Sequence, residues 1–185
     1  MPEEYDVSPV NLADAEEYVR CHVECLAETY VDIMPAEFAA LHRSDLAEQV
    51  ERTQAAWREN AREPEPRTAA WLARDTAGEV VGVVRSGPGA QAWEAALGAP
   101  PTSVPFQLHH LYTRQRTYGT GLGRQLLELA IGDLDTYLWI LYGNPRADRF
   151  YRRQGFAPDG GTMTCGRTWF FREMYRLVRV SAGPG

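Results

Sequence analysis

Residues Arg116 to Arg124 read R-T-Y-G-T-G-L-G-R, with glycine at alternate positions 119, 121 and 123. Glycine lets a backbone approach a bound group without interference from Cβ. A run rich in β-formers, Phe106–Thr113, precedes this stretch, and Leu122, Leu126, Leu129, Ala130 and Leu134 follow it at helical spacing. The order is strand, glycine turn, helix over Leu122–Asp135. Such a turn presents the unpaired N–H groups of a first helical turn and the positive end of its dipole. The guest it suits is a phosphate or pyrophosphate. Two common phosphate loops are excluded by particular residues. Arg124 stands where G-x-G-x-x-G needs its third glycine, and no lysine occurs in the chain to complete G-K-[ST].

A second group of chemical side chains lies thirty residues on, in Asn144-Pro145-Arg146-Ala147-Asp148-Arg149-Phe150-Tyr151-Arg152-Arg153-Gln154-Gly155-Phe156. Asn144 is placed to cap a helix, Pro145 suits its first turn and Gly155 its end. Phe150 reads as a core aromatic. Tyr151 beside it reads as a second core aromatic, with a phenol that titrates near ~10 when unperturbed. On the strand before the glycine turn, Gln107 and His109 lie two apart, on one face unless a bulge intervenes. Glutamine cannot take up a proton at neutral pH. His109 is either a base or a packed strand histidine.

The remaining elements position these groups. Tyr5–Pro9 reads as a first strand. Asn11 is a cap for a helix running to about Thr29, with Val19, Val23, Leu26 and Tyr30 as its apolar stripe. Shorter and longer helices follow over Glu37–His42 and Asp45–Arg62, the latter with Leu46, Val50 and Trp57 inward. Arg62-Glu63-Pro64-Glu65-Pro66 is a proline-broken linker, not a domain boundary. Thr68–Arg74 and Glu79–Arg85 form a hairpin through Asp75–Gly78. Ser86–Pro105 is a long connection with a helical fragment at Ala92–Leu97, and Trp93 is expected to anchor it. Tyr137–Tyr142 is apolar on both faces, as a buried parallel strand is. Strands beginning at Phe156 and over Thr168–Val180 complete the pattern, and Ser181–Gly185 is a tail.

Composition narrows the class. The 185 residues suit one domain, 44% of them hydrophobic and 24% charged. No apolar run approaches the length of a membrane span, and Met1–Val7 lacks the basic-then-apolar order of a signal peptide, so a cytoplasmic protein is expected. Cys21 and Cys25, with His22 between them, sit on a helix without a second ligand pair at zinc spacing. They read as small apolar side chains, and no metal is expected. Cys165 stands alone, as a reducing compartment allows. Net charge is −6 but divides into −11 up to Pro66 and +5 from Arg67. The basic half suits a polyanionic cofactor, and the acidic half either a cationic acceptor or solvated helix faces. Nucleic acid does not fit an acidic chain without a basic stripe. A lysine-free chain cannot form a lysine Schiff base.

Arg116-Thr117-Tyr118-Gly119-Thr120-Gly121 fits [RQ]-x-x-G-x-[GA], and Asn144–Phe156 fits N-x-x-A-x-x-F-Y-x-x-x-G-F. With Leu108–Thr113 before the first, these motifs resemble the coenzyme A loop, second signature and fourth strand of the GNAT superfamily of acetyl-CoA-dependent N-acetyltransferases. Glu173–Leu177 looks like its last strand. The clear resemblance covers Phe106 to Phe156. It implies an α/β fold with a mixed, mostly antiparallel central sheet flanked by helices, in which parallel fourth and fifth strands splay to admit pantetheine. It also implies a single N-acetyltransferase domain over 1–185, with a coenzyme A core at about 105–157 and an acceptor side at about 30–60 and 86–105.

By the same resemblance, the backbone of Leu111 and Thr113, flanking Tyr112, would pair with the pantetheine arm. The loop Tyr118, Gly119, Thr120, Gly121, Leu122 and Gly123 would hold the pyrophosphate. Arg116 and Arg124 would add charge-assisted contacts or remain solvated surface charges. Asn144 would fix the cofactor near its thioester or only cap its helix. Tyr151 stands where the family places the acid that protonates the departing thiolate. Gln107 stands where relatives often carry a glutamate. The base is then His109, a water chain ending on Glu37 or Asp32, or no base at all for an amine that arrives neutral. The implied reaction is acetyl transfer from acetyl-CoA to the amine of a small molecule or peptide, by direct attack through a tetrahedral intermediate. A monomer or homodimer is expected. The alternative is a module that binds acyl-CoA without transferring anything.

Overall fold

A seven-stranded sheet in the order β1-β2-β3-β4-β5-β7-β6 organises the chain in this computed structural model, which describes residues 4–64 and 67–180. Glu65 and Pro66 of the linker and the Ser181–Gly185 tail lie outside the described residues. The strands are β1 Asp6–Pro9, β2 Ala69–Arg74, β3 Val80–Pro88, β4 Phe106–Thr113, β5 Thr136–Leu141, β6 Ala157–Thr164 and β7 Glu173–Arg179. The helices are α1 Ala15–Tyr30, α2 Glu37–Ser44, α3 Leu46–Asn60, α4 Ala92–Ala96, α5 Leu122–Ile131 and α6 Pro145–Arg153. This is the expected mixed sheet, with a parallel pair at β4 and β5 and antiparallel pairs at β1/β2, β5/β7 and β6/β7. By compactness the chain divides into residues 1–85 with 110–130, and residues 86–109 with 131–185.

In the first unit, β1 pairs antiparallel with β2 from Asp6↔Arg74 to Pro9↔Trp71. Val19, Val23, Leu26 and Tyr30 of α1 are all buried, as their spacing requires. Each fully buried aliphatic side chain of this kind contributes about 1.5–3 kcal/mol. Leu46, Val50 and Trp57 of α3 pack on the same cluster, with Trp57 edge-on to Tyr18 at 5.2 Å. Asn11 does cap, but it caps a single 3₁₀ turn, Leu12–Asp14, closed by a reciprocal bond from Asn11 N–H to Asp14. α1 starts only after that turn. Arg74 ties β2 to its start, reaching Asp14 at 3.1 Å and Glu17 at 2.7 Å. The β2–β3 hairpin turns as expected: Asp75 Oδ1 accepts from the amides of Ala77 and Glu79, and Gly78 takes φ +82°.

α5 is shorter than its apolar pattern suggests. It stops at Ile131, and Gly132 adopts φ +47°. Leu134 lies beyond that end and is exposed, as is Leu129 on the outer face of the helix, while Leu122, Leu126, Leu127, Ala130 and Ile131 form the buried face.

In the second unit, β4 and β5 pair in parallel at Phe106↔Thr136 and Gln107↔Tyr137. β5 then pairs antiparallel with β7, and β7 with β6, where the register shifts between Pro158 and Thr162. The buried strand predicted to end at Tyr142 ends at Leu141, and Tyr142 is half exposed. The connection before β4 is held by a residue other than Trp93. Trp93 is exposed, whereas Glu94 on the opposite side of α4 is 2% exposed. Its carboxylate accepts from Tyr137 Oη at 3.0 Å and from Trp139 Nε1 at 2.8 Å. Arg176 of β7, also buried, donates to the carbonyls of Pro100 and Pro101 and to Asp159.

Candidate active site

β4 leads into the glycine loop inside the first unit. Leu111, Tyr112 and Thr113 are half-buried at the end of the strand. The Tyr112 hydroxyl lies 3.1 Å from that of Tyr30, and its ring leans on His22. The chain then turns at Arg114, whose N–H donates to Val81 O and whose guanidinium holds Glu28 at 2.7 Å. Gly119 and Gly121 take φ +83° and +96°, and a Cβ built on either would meet nothing within 4 Å. The loop is therefore open on the side where a guest would lie. Both glycines occupy a conformation that other residues adopt only with strain.

Thr120 braces the turn between them. Its hydroxyl donates to Thr117 O at 2.8 Å and accepts from Tyr5 Oη at 3.3 Å and more weakly from Leu122 N–H at 3.4 Å. The amides of Arg124 and Gln125 turn back to Gly121 O to start α5. That leaves the amides of Gly121 and Gly123 at the open end of the helix, where the dipole favours negative charge. Leu122 is buried and anchors the turn; Tyr118 is half-buried and extended. Arg116 is engaged by two carboxylates, Asp75 at 2.5 Å and Glu79 at 2.7 Å, and its hydrogen bond to Asp75, with the amides of Glu79 and Ala77, holds that carboxyl below the usual carboxylate range. Arg124 is exposed, 3.8 Å from Glu128. The residues present fit a pyrophosphate: an uncluttered pair of positive-φ glycines, two free helix-end amides and two arginines beside them.

The second unit carries the other predicted site residues. Asn144 is buried, and its Oδ1 caps α6 by accepting from Ala147 N–H at 3.1 Å. Tyr151, two turns along, is 7% exposed and packs edge-on between Phe150 and Phe156 at 5.0 and 5.6 Å. Phe150, expected in the core, is only half-buried; Tyr151 is the more enclosed of the two. The helix turns its strongest inward direction to position 151. His109 places Nε2 3.3 Å from Pro88 O. A carbonyl only accepts, so Nε2 carries the proton in that contact. Gln107 is 2% exposed with its Oε1 buried and without a hydrogen-bond donor.

Three features had no signal in single residues. Three of the four histidines are close together in the first unit: His22 stacks on His110 at 4.4 Å, and Phe38 lies edge-on to His42. Tyr18 Oη lies 2.7 Å from His110 Nε2 and 2.9 Å from Val84 O. Burial and then the nearby His42 push the His22 pKa down to about 4. The second feature is the Glu94–Tyr137–Trp139 anchor. The third is a pocket beside α6, lined among others by Tyr142, Asn144, Asp148 and Tyr175. Of that pocket, Asn144 and Pro145 were marked by their motif, and the i,i+4 spacing of Asp148 and Arg152 suits an ion pair. Cys21 and Cys25 are buried, their sulfurs 3.9 Å apart, as small core side chains. No helix among the described residues is long and apolar enough to cross a membrane.

Residues 66–158, half of the chain, match the family model described as Acetyltransferase (GNAT) domain. The chain belongs to this family, and its cofactor is acetyl-CoA. Solved structures agree in fold. The PaiA N-acetyltransferase of Thermoplasma acidophilum, in complex with coenzyme A, is 13% identical over 96% of this chain and 99% of that one, with a TM-score of 0.62. A Corynebacterium glutamicum structure described as histone acetyltransferase HPA2 and related acetyltransferase is 25% identical over 97% and 98%, at 0.62. A ribosomal-protein-alanine N-acetyltransferase from Brucella melitensis is 16% identical over 95% and 99%, also at 0.62. No curated protein matches the chain in sequence.

Proposed function

We propose that this protein transfers an acetyl group from acetyl-CoA to the amine of a small molecule or peptide, by direct attack of the amine. Bound acetyl-CoA supplies the thioester carbon that the amine attacks. The observation that carries the reading is the open glycine loop, with positive φ at Gly119 and Gly121 at the N-terminus of α5. In this reading the amides of Gly121 and Gly123 hold the pyrophosphate, and Arg116 and Arg124 add positive charge. Leu111 and Thr113 offer strand backbone to the pantetheine arm. Asn144, already fixed by its bond to Ala147, orients the region of the thioester.

Tyr151 gives a proton to the departing thiolate. Its enclosure by Phe150 and Phe156 holds the ring in one orientation, which general-acid catalysis needs. Gln107 is no base. His109, with its Nε2–H directed at Pro88 O, takes the amine proton at Nδ1, or the amine arrives neutral. Thiol release from acetyl-CoA across an amine panel tests the reading; at least one amine should be consumed. A second reading is a module that binds acyl-CoA without chemistry. Gln107, buried and unable to titrate, favours it. Tight binding of acetyl-CoA with no thiol release from any amine would select it.

A further inference from the structure

The second unit contains a pocket of about 410 Å³ that the acetyl-transfer reading leaves unassigned. Its shelf is aromatic. Tyr142 is half exposed, and its ring lies 4.7 Å from that of Tyr175 at an interplanar angle of 40°. Pro145 and Pro158 add two more ring faces. A shelf of this kind suits a flat apolar group.

The polar groups of the pocket are unequally spent. Asp148 Oδ1 accepts from Tyr175 Oη at 2.7 Å and from Arg152 Nε at 3.0 Å, and its Oδ2 accepts from Arg152 Nε at 2.8 Å. Arg176 is committed to Asp159 and to the carbonyls of Pro100 and Pro101. Asn144 Oδ1 is taken by Ala147 N–H. The donors that remain include the terminal amino groups of Arg152 and the amide nitrogen of Asn144, beside the hydroxyls of Tyr142 and Thr162. α6 is also strongly basic, with Arg146, Arg149, Arg152 and Arg153 against the single Asp148. A ligand complementary to unspent donors brings acceptor oxygens, and a carboxylate matches the guanidinium fork. A polyamine would find the carboxylates of Asp148 and Asp159 already occupied.

We infer that this pocket binds a carboxylate attached to a planar ring, so that the acceptor is an aromatic α-amino acid whose carboxylate meets Arg152 and whose ring lies on Tyr142. The assignment of the ligand as acceptor rests on the acetyl-transfer reading; the binding of an aromatic carboxylate does not. Two measurements separate them. In the first, thiol release from acetyl-CoA is compared for phenylalanine and tryptophan and for their decarboxylated counterparts, phenethylamine and tryptamine. The acids should be preferred in kcat/KM by at least about tenfold. Arg152→Gln should remove the preference by raising KM for the acids alone, and Arg152→Lys should restore part of it.

In the second, 3-phenylpropionate, which has no amine, is titrated into the protein and followed by NMR. It should bind about tenfold more weakly to Arg152→Gln and to Tyr142→Ala. Equal or better turnover of the decarboxylated amines, or an unchanged preference in Arg152→Gln, overturns the inference while leaving acetyl transfer intact. Arg152-dependent binding of 3-phenylpropionate with no amine consumed supports the pocket and removes the acetyl-transfer reading. No binding and no turnover removes both.

Discussion

His22 makes the stability of this protein sensitive to mild acid, and the effect can be worked from the structure. Its ring stacks on His110 at 4.4 Å and 18° and tilts against Tyr112 at 5.1 Å. Burial, then repulsion from His42, lowers its pKa to about 4 from an ordinary value of 6.5. Tyr18 shares the cluster from α1, and Arg85, losing part of its own solvation on β3, faces Tyr18. A second positive charge is therefore unwelcome. The unfolded chain takes a proton on His22 as pH falls through about 6.5, and the folded chain only near 4. Between those values the unfolded state binds more protons, so stability rises with pH. The contribution is complete above the unfolded pKa and is lost as pH falls toward the folded one. A depression of this size corresponds to about 3 kcal/mol.

The perturbation is His22→Phe, which keeps a ring against His110 and removes the titration. Urea unfolding of both chains from about pH 7.5 to about pH 4 gives the difference in stability at each pH. Carboxylates titrate at the acid end in both chains and cancel in that difference. The variant should gain about 3 kcal/mol on the wild type across the range, most of it below about pH 6. Parallel stability curves would refute the reasoning, as would an NMR titration of His22 with a midpoint near that of a free imidazole.

Three further outcomes follow from particular contacts. Tyr151→Phe should lower turnover about 10²-fold while leaving the KM for acetyl-CoA unchanged, because the hydroxyl is asked only to deliver a proton; steady-state kinetics by thiol detection checks it. Gly121→Ala places a side chain at φ +96°, costing about 1–2 kcal/mol at the turn, and should weaken acetyl-CoA binding about tenfold by calorimetry. Glu94→Leu strips the acceptor from Tyr137 Oη and Trp139 Nε1 and should destabilise the fold by about 3 kcal/mol, read as a lower urea midpoint.

The order of elements was readable because each carries its own local signal. Asn144, Pro145 and Gly155 mark both ends of α6, and Gly78 with Asp75 marks the hairpin. The glycine loop was equally local, since Gly119 and Gly121 announce positive φ without reference to any partner. Errors arose where a side chain's fate depends on distant chain. Leu134 continues an apolar pattern past the point where Gly132 ends α5. Trp93 looks like an anchor by size, yet the anchor is Glu94, because two donors on β5 await its carboxylate. Phe150 and Tyr151 are adjacent, and only the packing of Phe156 decides which is enclosed. The histidine cluster joins positions 22, 42 and 110, a separation no short motif records.

Glu94 and Arg176 bear on how the long connection before β4 works. A segment of that length between strands could be a mobile lid or a fixed wall. Pro100 and Pro101 lack N–H groups but keep carbonyls that accept. Arg176 donates to them at 2.7 and 3.0 Å while its third contact, with Asp159, balances the charge. Its guanidinium also covers the faces of Trp139 and Tyr137, at 5.3 and 5.9 Å from the ring centroids, the same two side chains that donate to Glu94. Glu94 thus fastens the connection to β5, while Pro100 and Pro101 fasten it to Arg176 of β7, which covers the same two β5 side chains. Lifting the segment would take the Glu94 carboxylate from both its donors and leave the Arg176 guanidinium with Asp159 alone, a penalty that a working lid does not carry. The connection is therefore held as a wall on this side of the unit.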